Sequence, residues 1–213
     1  MNFDEFKILF PKVKNIPLPA QSSQFKMAPP FREQLLKKYS NAMMNAKKAG
    51  VLALFYPDIN NVTKIVLILR KAYSGVHSDQ VGFPGGKLEN QDASLMEAAI
   101  RETYEEIGVP MHQIDIVREL TEVYIPPSNF YVKPFLGVTL KTPQFIKQED
   151  EVEELIEVFL SDLLADHNVI KKTVSTSYNV DVEVPAFYLN GYTVWGATAM
   201  MLSEIKDLLN QTF

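Results

Sequence analysis

Phe83-Pro84-Gly85-Gly86-Lys87-Leu88-Glu89, a polar run to Ser94, then Leu95-Met96-Glu97-Ala98-Ala99-Ile100-Arg101-Glu102-Thr103-Tyr104-Glu105-Glu106-Ile107-Gly108-Val109, is the stretch that decides the fold. Ser94 and Glu97 read as a Ser-x-x-Glu capping box and Gly108 as a left-handed stop, so the stretch predicts a loop, a helix of about four turns and a terminator. At ~100° per residue, Met96, Ala99, Ile100, Thr103 and Ile107 share one face, expected against a core. Glu102, Glu105 and Glu106 form an acidic stripe beside it at i, i+3 and i+4, where like charges repel. Taken alone, the stripe reads as the solvated edge of a surface helix. As a set, three carboxylates on one rigid face offer hard oxygen ligands to Mg²⁺ or Mn²⁺, with places left for water and substrate phosphate.

The whole arrangement resembles the signature of Nudix hydrolases, a glycine loop followed by a helix carrying Arg-Glu-x-x-Glu-Glu-x-Gly. Gly86, Arg101, Glu102, Glu105, Glu106 and Gly108 stand in those places. Gly86 precedes Arg101 by one residue more than the usual family spacing. Ala93 therefore occupies the position of the usual helix-start glutamate, and Asp92 is the nearby replacement. Arg101 has Glu97 and Glu105 four residues to either side and reads as a helix-orienting ion-pair partner.

Just upstream, a narrower resemblance appears. Coenzyme A pyrophosphatases, a Nudix subgroup, carry Arg-Ser followed by His-x-Gly-Gln-x-x-Phe-Pro-Gly-Gly, and Arg70, His77, Gln80, Phe83, Pro84, Gly85 and Gly86 fall on its positions without a gap. Lys71 replaces the usual Ser, Gly75 a basic residue and Asp79 the Gly before Gln80, which lowers the local positive charge. Without the resemblance, His77 reads as a surface-loop residue and Arg70 as a strand-end charge. Val132, Pro134 and Gly137 resemble the subgroup's Val-x-Pro-x-x-Gly, and Tyr192-Thr193-Val194-Trp195-Gly196-Ala197-Thr198-Ala199 its Ile-Trp-Gly-Ala-Thr-Ala.

At 213 residues, 46% hydrophobic and 22% charged, the chain is long enough for one well-cored domain with an extension. No apolar run approaches the ~20 residues of a membrane span, and the N-terminus lacks the basic and apolar parts of a secretion signal, so a cytoplasmic protein with no membrane partner is expected. The absence of cysteine excludes disulfides, thiolate metal sites and a cysteine nucleophile. A net charge of −5 argues against nucleic-acid binding. An acidic protein acting on a polyanion needs a metal between the two.

Residues 1–50 read as an N-terminal extension that packs on the domain or on a partner subunit, which leaves a homodimer open; residues 51–213 read as the hydrolase domain. Phe3, Phe6, Leu9 and Phe10 have helical spacing that Pro11 is expected to break, and Phe31 to Lys48 reads as a further helix. Val51–Tyr56 and Lys64–Arg70 predict an antiparallel strand pair. Ile114–Tyr124, Tyr131–Leu140, Leu155–Leu160, Lys172–Tyr178 and Val182–Leu189 are further strand candidates, Pro134 marking an edge or bulge. A final helix points Met201, Leu202, Ile205, Leu208 and Leu209 inward, and Trp195 reads as core. The acidic run Gln148–Glu154 is a solvated loop by composition. The family resemblance places a further catalytic or ligand carboxylate there, at Glu151 or one of its acidic neighbours.

The resemblance implies an α/β fold, the Nudix α/β/α sandwich with a mixed central sheet. It also implies metal-dependent hydrolysis of a phosphoanhydride, with Glu102, Glu105 and Glu106 holding Mg²⁺ or Mn²⁺. One of these glutamates or Glu151 would accept the water proton. The Gly85-Gly86 backbone would approach a phosphate or metal, and Arg70, His77, Gln80 and Lys87 are the candidates for substrate binding. The subgroup implies coenzyme A or its thioesters as substrate; ADP-ribose, a dinucleotide or another nucleoside diphosphate derivative is the alternative, and a catalytically silent nucleotide-binding module is a second.

Overall fold

The computed structural model describes residues 1–71, 80–175 and 181–212. His77, Gly75 and Asp79 lie outside the described residues. The chain opens with short helices, α1 (Phe3–Ile8), α2 (Phe10–Asn15), α3 (Ala20–Gln24), α4 (Arg32–Lys38) and α5 (Ser40–Met43). Strands β1 (Lys47–Pro57), β2 (Thr63–Arg70), β3 (Val81–Gly82) and β4 (Gly85–Lys87) lead into α6 (Leu95–Ile107). Then follow β5 (Asp115–Glu119), β6 (Val123–Ile125), β7 (Phe130–Val138), β8 (Val152–Phe159), α7 (Leu160–Leu164), β9 (Val169–Ser175), β10 (Asp181–Leu189), β11 (Tyr192–Val194) and α8 (Gly196–Asn210).

β1 is the axis of the larger sheet. It runs parallel to β7 from Lys47↔Phe130 to Phe55↔Val138 and antiparallel to β2 from Leu54↔Val66 to Pro57↔Thr63. Beyond Leu54, β1 and β2 no longer pair with each other. β1 takes β4 as its partner (Gly50↔Gly86, Val51↔Gly85) and β2 takes β3 (Ile68↔Gly82, Leu69↔Val81). Residues 81–87 are thus wedged between two parting strands, and this wedge carries Gly85 and Gly86 into the sheet. With β8 antiparallel on β2 and β5 and β6 antiparallel on β7, the sheet is mixed. A separate antiparallel sheet has the order β11-β10-β9.

Alternation along β1 sends successive side chains to opposite faces. Leu52, Leu54 and Tyr56 pack with Val66, Ile68, Ala99 and Ile107 on the α6 side. Val51, Ala53 and Phe55 pack with Phe3, Phe6, Leu202 and Ile205 on the other. The result is α/β/α, with the N-terminal helices and α8 sharing the layer opposite α6. Residues 1–30 are tied to α8 by polar groups as well. Gln24 donates to the buried Glu204 carboxylate (2.9 Å), Ser203 to the Ser23 carbonyl (2.8 Å), and Lys26 pairs with Asp207 (2.6 Å), which also accepts from Ser23.

Several local expectations change. Pro11 does not end the first helix; it sits in the first turn of α2, where its missing N–H is no loss. The Phe31–Lys48 helix is instead α4 and α5, because Lys47 already belongs to β1. The strand expected over Ile114–Tyr124 is two, β5 and β6. Pro134 lies in a central strand, at the point where the outer partner of β7 changes from β6 (Val123↔Val132) to β5 (Glu119↔Phe135). Met96 is 37% exposed, since the inward face of α6 is built from Ala98, Ala99, Thr103, Glu106 and Ile107.

Candidate active site

Ser94 caps α6 as its hydroxyl accepts the Glu97 N–H (3.2 Å), and Gly108 closes it at φ 75°. The Glu97 carboxylate accepts the Ala93 N–H (2.9 Å) and not an arginine. Arg101 pairs with Asp92 instead of Glu97: Nε and Nη2 donate to the two Asp92 oxygens at 2.9 and 3.0 Å, and Nη1 reaches Glu102 (3.1 Å) and Glu105 (2.8 Å). Asp92 also accepts the Glu89 N–H (2.8 Å), so the residue that replaces the helix-start glutamate fastens the loop to the helix. The guanidinium beside it holds the Asp92 carboxyl below the usual range.

The structure brings together Glu102, Glu106 and Glu151, each with a carboxylate oxygen within 4.8 Å of the others. Glu105 is not in that group; it is half-exposed and turned to Arg101. Glu106 is 1% exposed, with one oxygen on the Gly85 N–H (2.7 Å) and the other 3.6 Å from Arg70 Nη2. Burial raises its pKa to about 7 against the pull of Arg70 and Gly85, and Glu102 and Glu151 add to the rise. Burial also raises Glu102, opposed by Arg101. Glu151 arrives on the segment that crosses the end of α6, where the Ile146 and Gln148 N–H groups donate to the Ile107 and Glu106 carbonyls (3.0 and 2.9 Å). Its own carbonyl accepts the Lys71 N–H (2.9 Å), which anchors it beside Arg70.

Two glycines make this packing feasible. Gly85 has φ +142°, and a Cβ there would run into the Gly50 carbonyl and Val51. A Cβ on Gly86 would overlap the Glu102 carboxylate. At Gly86, backbone therefore lies where any side chain would displace the Glu102 carboxylate.

A cavity of about 320 Å³ adjoins the cluster, with Arg70, Gly85 and Gly86 in its wall. Arg70 donates to the Gly85 carbonyl (3.0 Å), and the Gln80 carbonyl accepts the Arg70 N–H (3.1 Å). Gln80 and Lys87 also line the cavity, and Lys87 Nζ stands 6.0 Å from the Phe130 ring centre. Trp195 is in this wall and is only partly buried, so it is a lining residue and not a core one. Sequence reasoning missed Phe31, Arg32 and Phe130 as lining residues; nothing in their local pattern distinguishes them from packing residues.

Acidic groups gathered behind side-chain-free backbone, beside a cavity bearing cations, suit cleavage of a phosphoanhydride by water. The chain belongs to the Nudix family: the NUDIX domain matches residues 46–177. It is 30% identical over 183 residues to an uncharacterized Nudix hydrolase, NudL, of Enterobacter sp. (strain 638), covering 82% of this chain and 89% of that protein. It is 31% identical over 179 residues to NudL of Citrobacter koseri, again covering 82% and 89%. Among solved structures, the Nudix hydrolase RenU of M. smegmatis shares the fold at TM-score 0.54 and 16% identity, covering 78% of this chain and 87% of that one. An Ap4A hydrolase of C. elegans does so at TM-score 0.52 and 15% identity, covering 78% and 98%. The chain is accordingly a Nudix pyrophosphohydrolase. No helix among the described residues is long and apolar enough to cross a membrane.

Proposed function

We propose that this enzyme hydrolyses the diphosphate of coenzyme A or its thioesters, giving 3′-phospho-AMP and 4′-phosphopantetheine or its acyl form. Mg²⁺ or Mn²⁺ would be held by Glu102, Glu106 and Glu151. The observation that carries the reading is the cavity itself. In a chain of net charge −5, its described lining holds Arg32, Arg70 and Lys87 and no carboxylate, beside three converging glutamates. Phe31, Phe130 and Trp195 add flat apolar walls suited to a base and an aliphatic arm. The Arg70 to Gly86 motif favours coenzyme A over other diphosphates.

The residues present fit a hard divalent ion: the donors are all carboxylate oxygens, and Gly86 leaves the Glu102 group unobstructed. Such an ion supplies neutralisation of the diphosphate and a lowered pKa for water. The chain's own residues do the rest. Arg70, hinged between Gly85 and Glu106, and Lys87 present positive charge to the phosphates. The wedge of residues 81–87 fixes the substrate against Gly85 and Gly86, and one of the three clustered glutamates accepts the proton of the attacking water. Water adds at one phosphorus as the bridging P–O bond breaks, leaving two phosphate monoesters.

The test is product analysis by mass with Mg²⁺ or Mn²⁺ and, separately, coenzyme A, ADP-ribose, NADH and a diadenosine polyphosphate, with Glu106→Gln as control. Cleavage of coenzyme A to 3′-phospho-AMP by the wild type is expected. Preference for another compound would keep the chemistry and replace the substrate; no cleavage of any would overturn the reading.

A further inference from the structure

Arg32 lies outside the residues that match the family domain, at the start of α4, yet its side chain lines the substrate cavity. Nη2 donates to the Tyr124 carbonyl (2.6 Å), while Nε is buried with no hydrogen-bond partner. Among the described residues no carboxylate pairs with it, in contrast to Arg101 and Arg70. Burial pulls its pKa below the ordinary value, a sign of charge withdrawn from water without an answering anion. A fixed guanidinium charge in that position is costly unless a ligand completes it, and its planar fork matches a phosphate. The other two cations of the cavity are otherwise placed: Arg70 is shared with Glu106 and Gly85, and Lys87 lies over Phe130.

We propose that Arg32 is a specificity-determining residue that holds a second phosphate of the substrate, one remote from the scissile diphosphate, while Phe31 and Trp195 flank the base of the nucleoside whose ribose carries it. This rests on the coenzyme A reading, in which that group is the 3′-phosphate of the nucleotide half. The N-terminal segment would thus read the substrate, although it contributes nothing to the acidic cluster.

Two measurements on the full chain test this. In the first, adenosine 3′,5′-bisphosphate and AMP are titrated by calorimetry into the wild type and Arg32→Gln. The glutamine amide keeps a donor for the Tyr124 carbonyl and loses the charge. The wild type should prefer the bisphosphate by about tenfold or more, as for a charge-assisted bidentate contact, and Arg32→Gln should remove that preference. In the second, kcat/KM is compared for coenzyme A and its 3′-dephospho form, and the ratio should collapse in the same way. A purely structural role would lower both members of each pair alike. A wild type with no preference, or an Arg32→Gln that retains it, overturns the proposal. Arg32-dependent preference for the bisphosphate, with neither coenzyme A form cleaved, would sink the substrate reading and leave this one standing. If Arg32→Gln does not fold, the crystal structure of the wild type with the bisphosphate decides. The 3′-phosphate on the Arg32 guanidinium supports the assignment, and a phosphate elsewhere ends it.

Discussion

The α6 side of the site and the cavity side treat charge in opposite ways. On α6, Arg101 is nearly enclosed and meets Asp92, Glu102 and Glu105, so the helix and its loop are fastened by groups that answer one another. On the cavity side, Arg32 is withdrawn from water with Nε unanswered, and Glu106, buried near other carboxylates, meets the Gly85 N–H and, among the described residues, one cation, Arg70, at 3.6 Å. Groups that complete each other build the scaffold. On the proposed reading, groups left incomplete are the ones that meet the ligand.

The sharpest attempt to break that comparison is to neutralise one glutamate on each side of it. Glu106→Gln should lower metal-dependent kcat by about 10³-fold or more, the scale of losing an essential acid–base or ligand group. Glu105→Gln, which removes only one of several partners of Arg101, should cost less than about tenfold by the same measure. Equal losses in steady-state assays would show that Glu105 belongs to the catalytic set after all.

Asp92→Ala probes the completed side. It leaves Arg101 without its bidentate partner and frees the Glu89 N–H, at an expected cost of about 2 kcal/mol in denaturant unfolding. A change below about 0.5 kcal/mol would mean that Glu102 and Glu105 suffice to hold the arginine. The incomplete side has a pH signature in metal-free protein. The Glu106 pKa rises on folding from 4.5 to about 7, so its favourable contribution is fully present below pH 4.5 and is lost as pH rises through about 7. Melting temperature in chelator should therefore fall between about pH 5 and about pH 8, and fall less in Glu106→Gln. Parallel profiles for the two proteins would remove Glu106 as the cause.

Much of the fold was legible because it rests on local signals. Ser94, Gly108 and the apolar runs of β1 and β2 gave α6 and the first strand pair. Helical spacing, however, places a residue on a face without saying which partner it will meet. Glu105 is three residues from Glu102, yet it turns to Arg101, while Glu151, almost fifty positions away, completes the cluster because the chain crosses the end of α6. Asp92 took the arginine from Glu97 through loop geometry that no periodicity encodes. The cavity was least visible of all, since Arg32, Phe130 and Trp195 come from three distant segments whose convergence is purely tertiary.

The stitching of residues 1–30 to α8 bears on how the protein is made. Gln24 and its partner Glu204 are 180 positions apart, and at a synthesis rate of roughly 5–20 residues per second the earlier one waits on the order of 10–40 s for the later. Through that interval Phe3, Phe6 and Val13 have no α8 to complete the layer they share with it. The earlier of the two segments therefore finds its place only once the later one is made, and its apolar side must be kept from other nascent chains until α8 emerges.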